Sequence, residues 1–285
     1  MVDTFLSNNA SPKVSIIIPC YNQGHFLKDA LASLAECDST LFEIIIVNDG
    51  STDEFTNSYL SLLQRDGMHV IFQENKGLPV ARNVAIKAAK GEYILPLDSD
   101  NKIRGQYLTE AISILDNDSN TVVVYGNAAF FGEREGVWTV GEYNLQKLML
   151  DNYIDACAVM RKSVVLEVGM YDEKGIGGWE DWDLWLRISF AGYKFKYIDK
   201  VLFDYRVINS SMSKQLVGNF EKRNRYLKYI NEKYPDKMGH DWVNGLFVTR
   251  FKKSPLKFLV KLFIKTYFPK YYDKLLRQNK IITGL

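Results

Sequence analysis

The chain has 285 residues, of which 47% are hydrophobic and 25% charged, which is typical of a globular protein with a sizeable core. Its apolar stretches stay below the roughly 18 residues of a transmembrane helix, and the first residues show no secretory signal pattern. The three scattered cysteines, Cys20, Cys37 and Cys157, fit neither a disulfide framework nor a zinc site. We therefore expect a cytoplasmic protein whose cysteines are packing residues.

Charge is divided unevenly along the chain. There are 36 Lys and Arg against 34 Asp and Glu, but residues 250–285 hold ten basic residues and one acid, Asp273. Residues 1–249 therefore contain 26 basic and 33 acidic residues, a net charge of −7. Because a nucleic-acid-binding domain carries a basic surface, this balance argues against nucleic acid as a partner.

The first hundred residues alternate between two patterns. Short apolar runs rich in β-branched residues predict buried strands at residues 14–18, 43–47, 70–72 and 93–97. Helical spacing predicts a helix after the first strand, and we expect Pro19 to end that strand and Asp53 to cap the second helix. Pro79 suits the first turn of a third helix, and Gly91 a position just past its end. This alternation predicts an α/β fold with an open, doubly wound sheet and ligands outside the carboxyl ends of its strands.

Two aspartates one residue apart, Asp98 and Asp100, come directly after the fourth predicted strand. Side chains at i and i+2 share one side of a strand, so both carboxylates can converge on one point. Carboxylate oxygens suit Mg²⁺ or Mn²⁺ held together with substrate phosphates, whereas an acidic turn is the simpler alternative. Residues 20–22 and 48–50 are polar ends of two further strands. Their convergence on the same sheet edge favours a ligand site.

Two common nucleotide-binding signatures are missing from the sequence. No G-x-G-x-x-G follows the first strand and no Walker A lysine loop is present, which argues against a nicotinamide dehydrogenase and a P-loop enzyme. A nucleotide would need another means of attachment, and a metal ion on its diphosphate would supply one.

The second half of the chain is less regular. Residues 122–125 and 156–160 predict two more strands, with a loop or hairpin at residues 130–143, where we place the acceptor side of the site. Glu180 and Asp181 begin a run with helical spacing, and a helix dipole alone favours acids at its N-terminus. Three tryptophans surround these acids, and a sugar-stacking wall and core packing explain them equally well: Trp179, Trp182 and Trp185.

Five segments resemble, in order and spacing, those of the family 2 glycosyltransferases: VSIIIPCYN at 14–22, EIIIVNDGSTD at 43–53, NKGLPVARN at 75–83, LDSD at 97–100 and GWEDWDLWLR at 178–187. The resemblance covers about residues 12–210 and implies the GT-A fold of nucleotide-diphospho-sugar transferases, a central, mostly parallel sheet flanked by helices. We expect a catalytic domain over residues 1–213. Residues 214–285 match no motif of the family and are interpreted as a helical extension that is basic and amphipathic.

The resemblance also implies a role for each matching residue. Asp181 is the general base, Glu180 its neighbour in the acceptor pocket, and Asp100 with Asp98 binds the metal. Asp49 is suited to bonding a base N–H or a ribose hydroxyl. Arg206 is the candidate for the diphosphate, since no histidine lies nearby. The complete set implied for the nucleotide-sugar is Pro19, Tyr21, Asn22, Asp49, Arg82, Asp98, Ser99 and Arg206.

These roles combine into one reaction. A cation, Mn²⁺ or Mg²⁺, neutralises the diphosphate leaving group, and a carboxylate removes the proton of the acceptor hydroxyl. A single base on the face opposite the leaving group gives one displacement with inversion. The sequence is therefore interpreted as a hexosyltransferase-type enzyme whose donor is a nucleotide-sugar, UDP-linked by resemblance, and whose acceptor is a hydroxyl of a glycan, glycolipid or glycoprotein.

Two alternative functions stay open. A nucleotidyltransferase on a similar sheet should carry a glycine-rich, arginine-containing loop after the first strand, and residues 19–24 do not provide it. The second alternative is a non-catalytic relative that binds glycan or acts as a scaffold. The presence of both Asp100 and Asp181 argues against it.

The basic tail contains a further pattern. Lys257, Lys261 and Lys265 recur every four residues and so share one helical face. Apolar residues occupy much of the remaining surface: Phe258, Leu259, Leu262 and Phe263. Such a helix is typical of a membrane-surface binder. Peripheral association with the inner face of the cell membrane, contact with a sister subunit and packing on the catalytic domain are the three interpretations that the sequence leaves open.

Overall fold

The computed structural model describes residues 11–149, 151–174, 178–208, 220–238, 248, 251–252 and 254–277. The chain divides into two compact units, one formed by Met1–Leu148 with Asn152–Ser211 and the other by Met149–Asp151 with Met212–Leu285. The expected division at residue 213 stays a prediction, because the residues on both sides of it lie outside the described ranges.

The first unit begins with alternating strands and helices, as the sequence predicts. They are β1 (Val14–Cys20), α1 (Gly24–Ser33), β2 (Phe42–Asp49), α2 (Glu54–Arg65), β3 (His69–Gln73), α3 (Leu78–Ala88) and β4 (Tyr93–Pro96). The strands pair in parallel in the order β3-β2-β1-β4. Every residue of β1 is buried, because helices cover both faces of the sheet, and this is why its sequence is a continuous apolar run.

The rest of the first unit, where it is described, adds five strands of very different length and the helices that carry the second half of the site. The described elements are β5 (Lys102–Ile103), α4 (Tyr107–Asn117), β6 (Thr121–Gly132), β7 (Gly136–Trp138), α5 (Leu145–Leu148), β8 (Val159–Arg161), α6 (Lys162–Glu167), α7 (Glu180–Phe190) and β9 (Lys194–Val207). Strands β6 and β7 form an antiparallel hairpin within the stretch expected to be a loop or hairpin.

One sheet runs through the unit in the order β3-β2-β1-β4-β8-β6-β9-β5, with β7 paired to β6. The predicted α/β class is confirmed, and the parallel arrangement holds for β1 to β4. The second half of the sheet is mixed, because β8 runs antiparallel to both of its neighbours, β4 and β6, whereas β6 and β9 are parallel.

The hydrophobic core lies between the sheet and helices on its faces. Side chains of α1 and α4, such as Leu27 and Leu108, are buried in one cluster with Ile16 and Ile18 of β1. Helix α3 packs against β1 and β2, and Ile17 points to the face opposite Ile16 and Ile18 because side chains alternate along a strand. Both faces of the parallel strands are therefore covered, which leaves their ends as the accessible edge.

The expectation that Pro19 ends the first strand is wrong. Strand β1 continues through Pro19 and Cys20, which pair with Val47 and Asn48 of β2. Strand β4 pairs only as far as Ile17, so beyond that point β1 has a partner on one side only. A proline, which lacks the N–H of the ladder, is tolerated at such an open side.

Gly91 lies just past the end of the third helix, as the sequence predicts. Helix α3 ends at Ala88, and Gly91 lies where the chain approaches β1 closely. A Cβ at this position would lie 2.6 Å from the backbone nitrogen of Ser15. The glycine is therefore required for packing against β1.

The predicted strand at residues 156–160 begins later than expected, at Val159. Asp155 accepts a hydrogen bond from the backbone N–H of Cys157, and Ala158 N–H donates to the carbonyl of Ala156. These local bonds make a tight turn, which takes residues 155–158 out of the sheet.

All three cysteines are buried and unpaired, as the sequence predicts.

The second unit is helical where it is described. Its helices are α8 (Phe220–Lys233), α9 (Pro235–Met238), α10 (Pro255–Tyr267) and α11 (Pro269–Arg277). Among the described residues, no helix combines the length and the apolar character needed to cross a membrane.

Candidate active site

The three polar segments predicted to meet do lie at one edge of the sheet. Strand β1 runs parallel to β2 and β4, so the carboxyl ends of all three point the same way. Pro19 is buried in the last part of β1, and Tyr21 directly after it has an exposed side chain. An exposed aromatic ring at the ends of parallel strands is available to a ligand.

Asn22 joins two of these segments. Its backbone is left-handed, with φ of 54°, and its Oδ1 accepts hydrogen bonds from the backbone N–H groups of Thr52 (2.7 Å) and Asp53 (3.0 Å). Asparagine tolerates this conformation better than most residues. The side chain therefore holds the loop after β1 against the loop after β2.

Asp49 anchors a third loop. Its Oδ1 accepts hydrogen bonds from Gln73 Nε2 (2.7 Å) and from the backbone N–H of Lys76 (2.9 Å), and its Oδ2 accepts from the backbone N–H of Gly77 (2.9 Å). The buried carboxylate thus fixes the segment that leads into α3. Gly77 has φ of 89°, a conformation that glycine adopts without steric cost.

Arg82 links an acid that follows β4 to an acid at the start of α7. It lies on α3, is 2% exposed, and donates from Nη2 to Asp98 (2.7 Å) and from Nη1 to Glu180 (2.7 Å). Its guanidinium carbon is 5.2 Å from the centre of the Tyr171 ring. Burial opposes the charge of Arg82, but the neighbouring acids, Asp98 first, hold its pKa above the ordinary value. Asp98 and Glu180, 82 residues apart in sequence, are therefore held by one side chain.

The loop Asp98–Ser99–Asp100 is held from two sides. Ser99 donates to Gln23 Oε1 at 2.6 Å. Arg206 donates from Nε to the carbonyl oxygen of Asp100 at 2.9 Å and from Nη2 to Asp29 at 2.6 Å. The structure thus places Arg206, expected near a diphosphate, directly against the aspartate loop.

Aromatic rings enclose the Arg206 guanidinium. Its central carbon lies 4.6 Å from the ring centre of Phe26 and 4.4 Å from that of Phe131. Such stacking favours a planar cation in a fixed orientation. Since Phe131 lies near the end of β6, the turn end of the β6–β7 hairpin lies beside Arg206 and the aspartate loop.

The surroundings of Asp100 disfavour its negative charge. Its burial, together with the negative charge of Asp98, raises the pKa of Asp100 to about 7, and Arg206 offsets only part of this effect. A divalent cation would relieve the repulsion, and oxygen ligands from one or two carboxylates are what Mg²⁺ and Mn²⁺ take beside substrate phosphates. Within the described ranges, no three His, Cys, Asp or Glu side chains are placed to hold a metal together. The Asp98–Asp100 pair has the chemistry of a partial cation site.

Glu180 and Asp181 begin helix α7, as predicted. Glu180 is buried, and its second oxygen accepts the backbone N–H of Gly178 at 3.0 Å. Asp181 accepts a hydrogen bond from Asn152 Nδ2 at 2.9 Å. Burial, and next the charge of Glu180, raise the pKa of Asp181 well above that of an ordinary carboxyl, while Asn152 and Arg82 lower it. A carboxylate with a raised pKa is a stronger base at neutral pH.

Two of the three tryptophans prove to be core residues. Trp182 and Trp185 are buried, and their indole N–H groups donate to the carbonyls of Leu148 (2.5 Å) and Ile154 (3.0 Å). Trp179 is half-buried and meets Trp182 edge to face at 6.2 Å. The glycine run at residues 175–177 beside it lies outside the described residues. Of the three rings, Trp179 is thus the candidate for contact with a sugar.

Sequence reasoning missed Asp155. Burial, and next the negative charge of Asp98, raise the pKa of Asp155 above its usual range, while Arg82 lowers it. This aspartate therefore lies within electrostatic reach of the residues predicted for the site. The sequence predicts a strand directly after Asp155 where the structure has a turn, and an isolated aspartate before an apolar run carries no signal of its own.

Asp29, Gln23 and Asn152 were missed for a similar reason. Each contributes a hydrogen bond to a predicted site residue that is distant in sequence. Polar side chains of this kind are common on helices and loops. Their partners become apparent only when the chain is folded.

The architecture places the protein in a structural class. A manganese-containing complex of the mannosyltransferase PcManGT from Pyrobaculum calidifontis with GDP-mannose superposes with a TM-score of 0.57, covering 93% of this chain and 85% of that one at 16% identity. S. aureus TarS 1–349 with UDP-GlcNAc superposes with the same TM-score, covering 82% and 80% at 18% identity. The fold is the GT-A fold that the sequence predicted.

The sequence comparison gives the family. Residues 15–169 match the family model described as glycosyl transferase family 2, and the chain belongs to this family. An uncharacterised glycosyltransferase of Rickettsia typhi is 31% identical over 72% of this chain and 65% of its own length. The chain spans between about a third and two-thirds of the Rickettsia relatives that it matches.

Proposed function

We propose that this protein is an inverting, metal-dependent glycosyltransferase that moves a sugar from a nucleoside diphosphate, UDP by preference, to a hydroxyl of a glycan, glycolipid or glycoprotein. The observation that carries the proposal is the double hydrogen bond of Arg82 to Asp98 and Glu180. It holds an acid of the expected donor side next to an acid of the expected acceptor side.

The donor end of the site consists of the strand-end residues. Tyr21 offers an exposed ring for the nucleotide base, and Asp49 fixes the loop that borders this edge. Asp100, assisted by Asp98, would hold Mn²⁺ or Mg²⁺. When bound, the cation supplies charge neutralisation for the departing diphosphate. Arg206 keeps the backbone of Asp100 in place through its bond to the carbonyl oxygen.

The acceptor end is organised around Asp181. Asn152 and the start of α7 fix its carboxylate, and the raised pKa equips it to take a proton from a hydroxyl. The acceptor oxygen then forms a bond to the anomeric carbon while the bond from that carbon to the diphosphate oxygen breaks. The proton goes to Asp181 and the electron pair leaves with the nucleoside diphosphate. One displacement of this kind inverts the anomeric configuration.

The β6–β7 hairpin is the surface we assign to the acceptor. Phe130 and Trp138 stack with ring centres 6.3 Å apart, and Tyr205 meets both edge to face. The hairpin adjoins the aspartate loop through Phe131, which contacts Arg206. Aromatic rings bordered by polar groups are well suited to the faces of sugar rings.

Thermal melting tests the proposal. We expect one class of nucleotide-sugar, tested as UDP-, GDP- and dTDP-sugars, to raise the melting temperature only when Mn²⁺ or Mg²⁺ is present. At a hundredfold excess over its dissociation constant, such a donor stabilises the folded state by about 2.7 kcal/mol. A chelator should remove the shift.

Two variants give this experiment its controls. Asp100→Asn should lose the metal-dependent shift, whereas Asp181→Asn should keep it and lose sugar transfer. A donor that binds equally well without metal would contradict the metal role. If no donor shifts the wild-type protein, the enzymatic proposal fails in favour of a non-catalytic glycan-binding protein.

A further inference from the structure

Helix α10 carries an apolar stripe on its exposed side. The stripe consists of Leu256, Leu259, Val260, Phe263 and Tyr267, which helical spacing places on one face. Leu256 is 76% exposed, Phe263 56% and Tyr267 68%, whereas Phe258, on the opposite face, is only 9% exposed. The helix therefore buries one aromatic residue and presents most of its apolar side chains outward. A surface helix of a globular protein normally does the reverse.

The segment that carries the α10 stripe is basic. Residues 251–272 contain six lysines and no acid. Helical spacing places Lys257, which is exposed, beside the stripe and Lys261 next to it, whereas Lys265 lies on the face of Phe258. Long lysine side chains can keep their charge in water or at lipid headgroups while their stems cover apolar surface. Apolar character and positive charge thus occur together on the same helix.

We propose that the α10 stripe binds an anionic membrane surface. A helix of 13 residues is about 20 Å long at 1.5 Å per residue, so it would lie in the plane of the interface. The apolar stripe would enter the headgroup and acyl boundary, and Lys257 beside it would contact anionic lipid. The stripe belongs to the second unit, and its binding to lipid does not depend on the proposed transferase activity.

Charge favours a membrane over a second copy of the chain. A two-fold interface brings the same surface patch together from both subunits. Two stripes meeting in this way would bring together two segments that each carry six lysines and no acid in residues 251–272. Like charges held this close repel each other. An anionic surface supplies the opposite charge and an apolar phase together.

Vesicle co-sedimentation of the full chain tests the proposal. The protein should bind weakly to vesicles of phosphatidylcholine alone and strongly to vesicles with equal parts of phosphatidylglycerol. Salt should weaken the binding to the anionic vesicles. We expect Val260→Ser/Phe263→Ser and Lys257→Glu/Lys261→Glu each to lower the partition coefficient at least about tenfold. Leu166→Ser on α6 is the matched control, because Leu166 is also an exposed apolar residue, and it should bind as the wild type does.

A second measurement covers the case in which a variant fails to fold. In Tyr267→Trp, the new indole replaces an exposed ring, and its emission should shift to the blue when anionic vesicles are added. Unchanged emission, or equal binding by the wild type and both double variants, would overturn the proposal. A dimer in sedimentation velocity that Val260→Ser/Phe263→Ser converts to monomer, with no vesicle binding, would assign the stripe to a second copy instead.

Discussion

Arg82 connects two acids that no local sequence pattern links. Its guanidinium donates to Asp98 on one side and to Glu180 on the other, both at 2.7 Å, and it is almost fully buried. Removing one partner of such a network leaves buried charge without compensation, which costs more than the network itself contributes. Arg82 is therefore a positioning residue whose loss should damage stability and activity together.

Arg82→Leu should lower the free energy of unfolding by about 3 to 5 kcal/mol, because Glu180 would keep a buried charge without its partner. Arg82→Lys should cost less stability but still lower the turnover number, since a single ammonium group cannot form the same two bonds. Urea denaturation and donor turnover measure these effects. Arg104→Lys is the control, because Arg104 pairs with Asp204 at the surface, where such a change should stay within about 1 kcal/mol. Equal losses at the two positions would contradict the assigned role.

Asp181 makes the stability of the folded protein depend on pH. Its pKa is raised in the folded state above the unfolded value of about 3.9, so the folded protein binds the proton more tightly. This contribution to stability is present at low pH and is lost as pH rises through the folded pKa. Asp181→Asn removes this pH dependence. The stability of the variant relative to the wild type should therefore be higher at pH 8 than at pH 5.5.

Denaturation of both proteins at these two pH values checks the shift, and transfer rates should fall by about 10²- to 10⁴-fold in the variant because the base is lost. Asp116→Asn serves as the matched control. Its pKa is lowered, chiefly by the hydrogen bond from Tyr93, so its effect should be the same at both pH values. A parallel response of Asp181→Asn and Asp116→Asn would show that Asp181 titrates normally.

At the scale of elements, helices α1 and α2 meet at a buried hydroxyl. Thr56 is fully buried, accepts the backbone N–H of Gly24 at 2.9 Å and donates to Asp53 at 2.5 Å. A Cβ on Gly24 would lie 2.7 Å from the Cα of Thr56, so the helices approach as closely as the backbone allows. This contact fixes the start of α1 at Gly24, two residues after Asn22.

Thr56→Val keeps the shape of the side chain but removes its hydroxyl. The N–H of Gly24 would lose its partner, and we expect a loss of about 1 to 3 kcal/mol in the free energy of unfolding. Thr109→Val makes the same change at an exposed position of α4 and should stay within about 0.5 kcal/mol. Urea midpoints distinguish the two variants. If Thr56→Val is as stable as the wild type, the hydroxyl contributes nothing to the contact between α1 and α2.

At the scale of the whole molecule, the main hydrophobic core belongs to one part of the chain. All residues of the cluster that contains Ile16 and Leu108 fall between Val14 and Phe203. The second unit begins, apart from residues 149–151, at Met212. A domain that contains its own core can fold alone.

A chain of residues 11–211 should therefore unfold in one cooperative transition and retain the metal-dependent shift with the donor. Circular dichroism at increasing temperature, with and without donor and Mn²⁺, measures both properties. The shortened chain should also lose binding to anionic vesicles, because residues 255–267 are removed. A chain that melts without cooperativity would show that the division between the units is misplaced.

Local patterns were sufficient where the physics is local. Residues 14–18 and 43–47 form strands because uninterrupted β-branched runs suit a sheet covered on both faces. Asp53 caps α2 as expected, accepting the backbone N–H of Thr56 at 2.7 Å. Asp98 and Asp100 follow β4, and the parallel strands bring them to the same edge as Asp49.

What the sequence alone could not decide depends on contacts between distant segments. Pro19 is accommodated because the pairing with β4 stops two residues earlier, at Ile17, and the partners of Arg206 and Asp181 lie far away in the chain. The lysine spacing of the tail was visible, but only burial shows that Phe258 faces inward and the α10 stripe outward. The sequence by itself determined the fold class, the family and the order of strands and helices in the first hundred residues, because these follow from periodicity and short motifs. The tertiary structure decided which polar groups pair and which faces are exposed, because hydrogen bonding and burial depend on residues that only folding brings together.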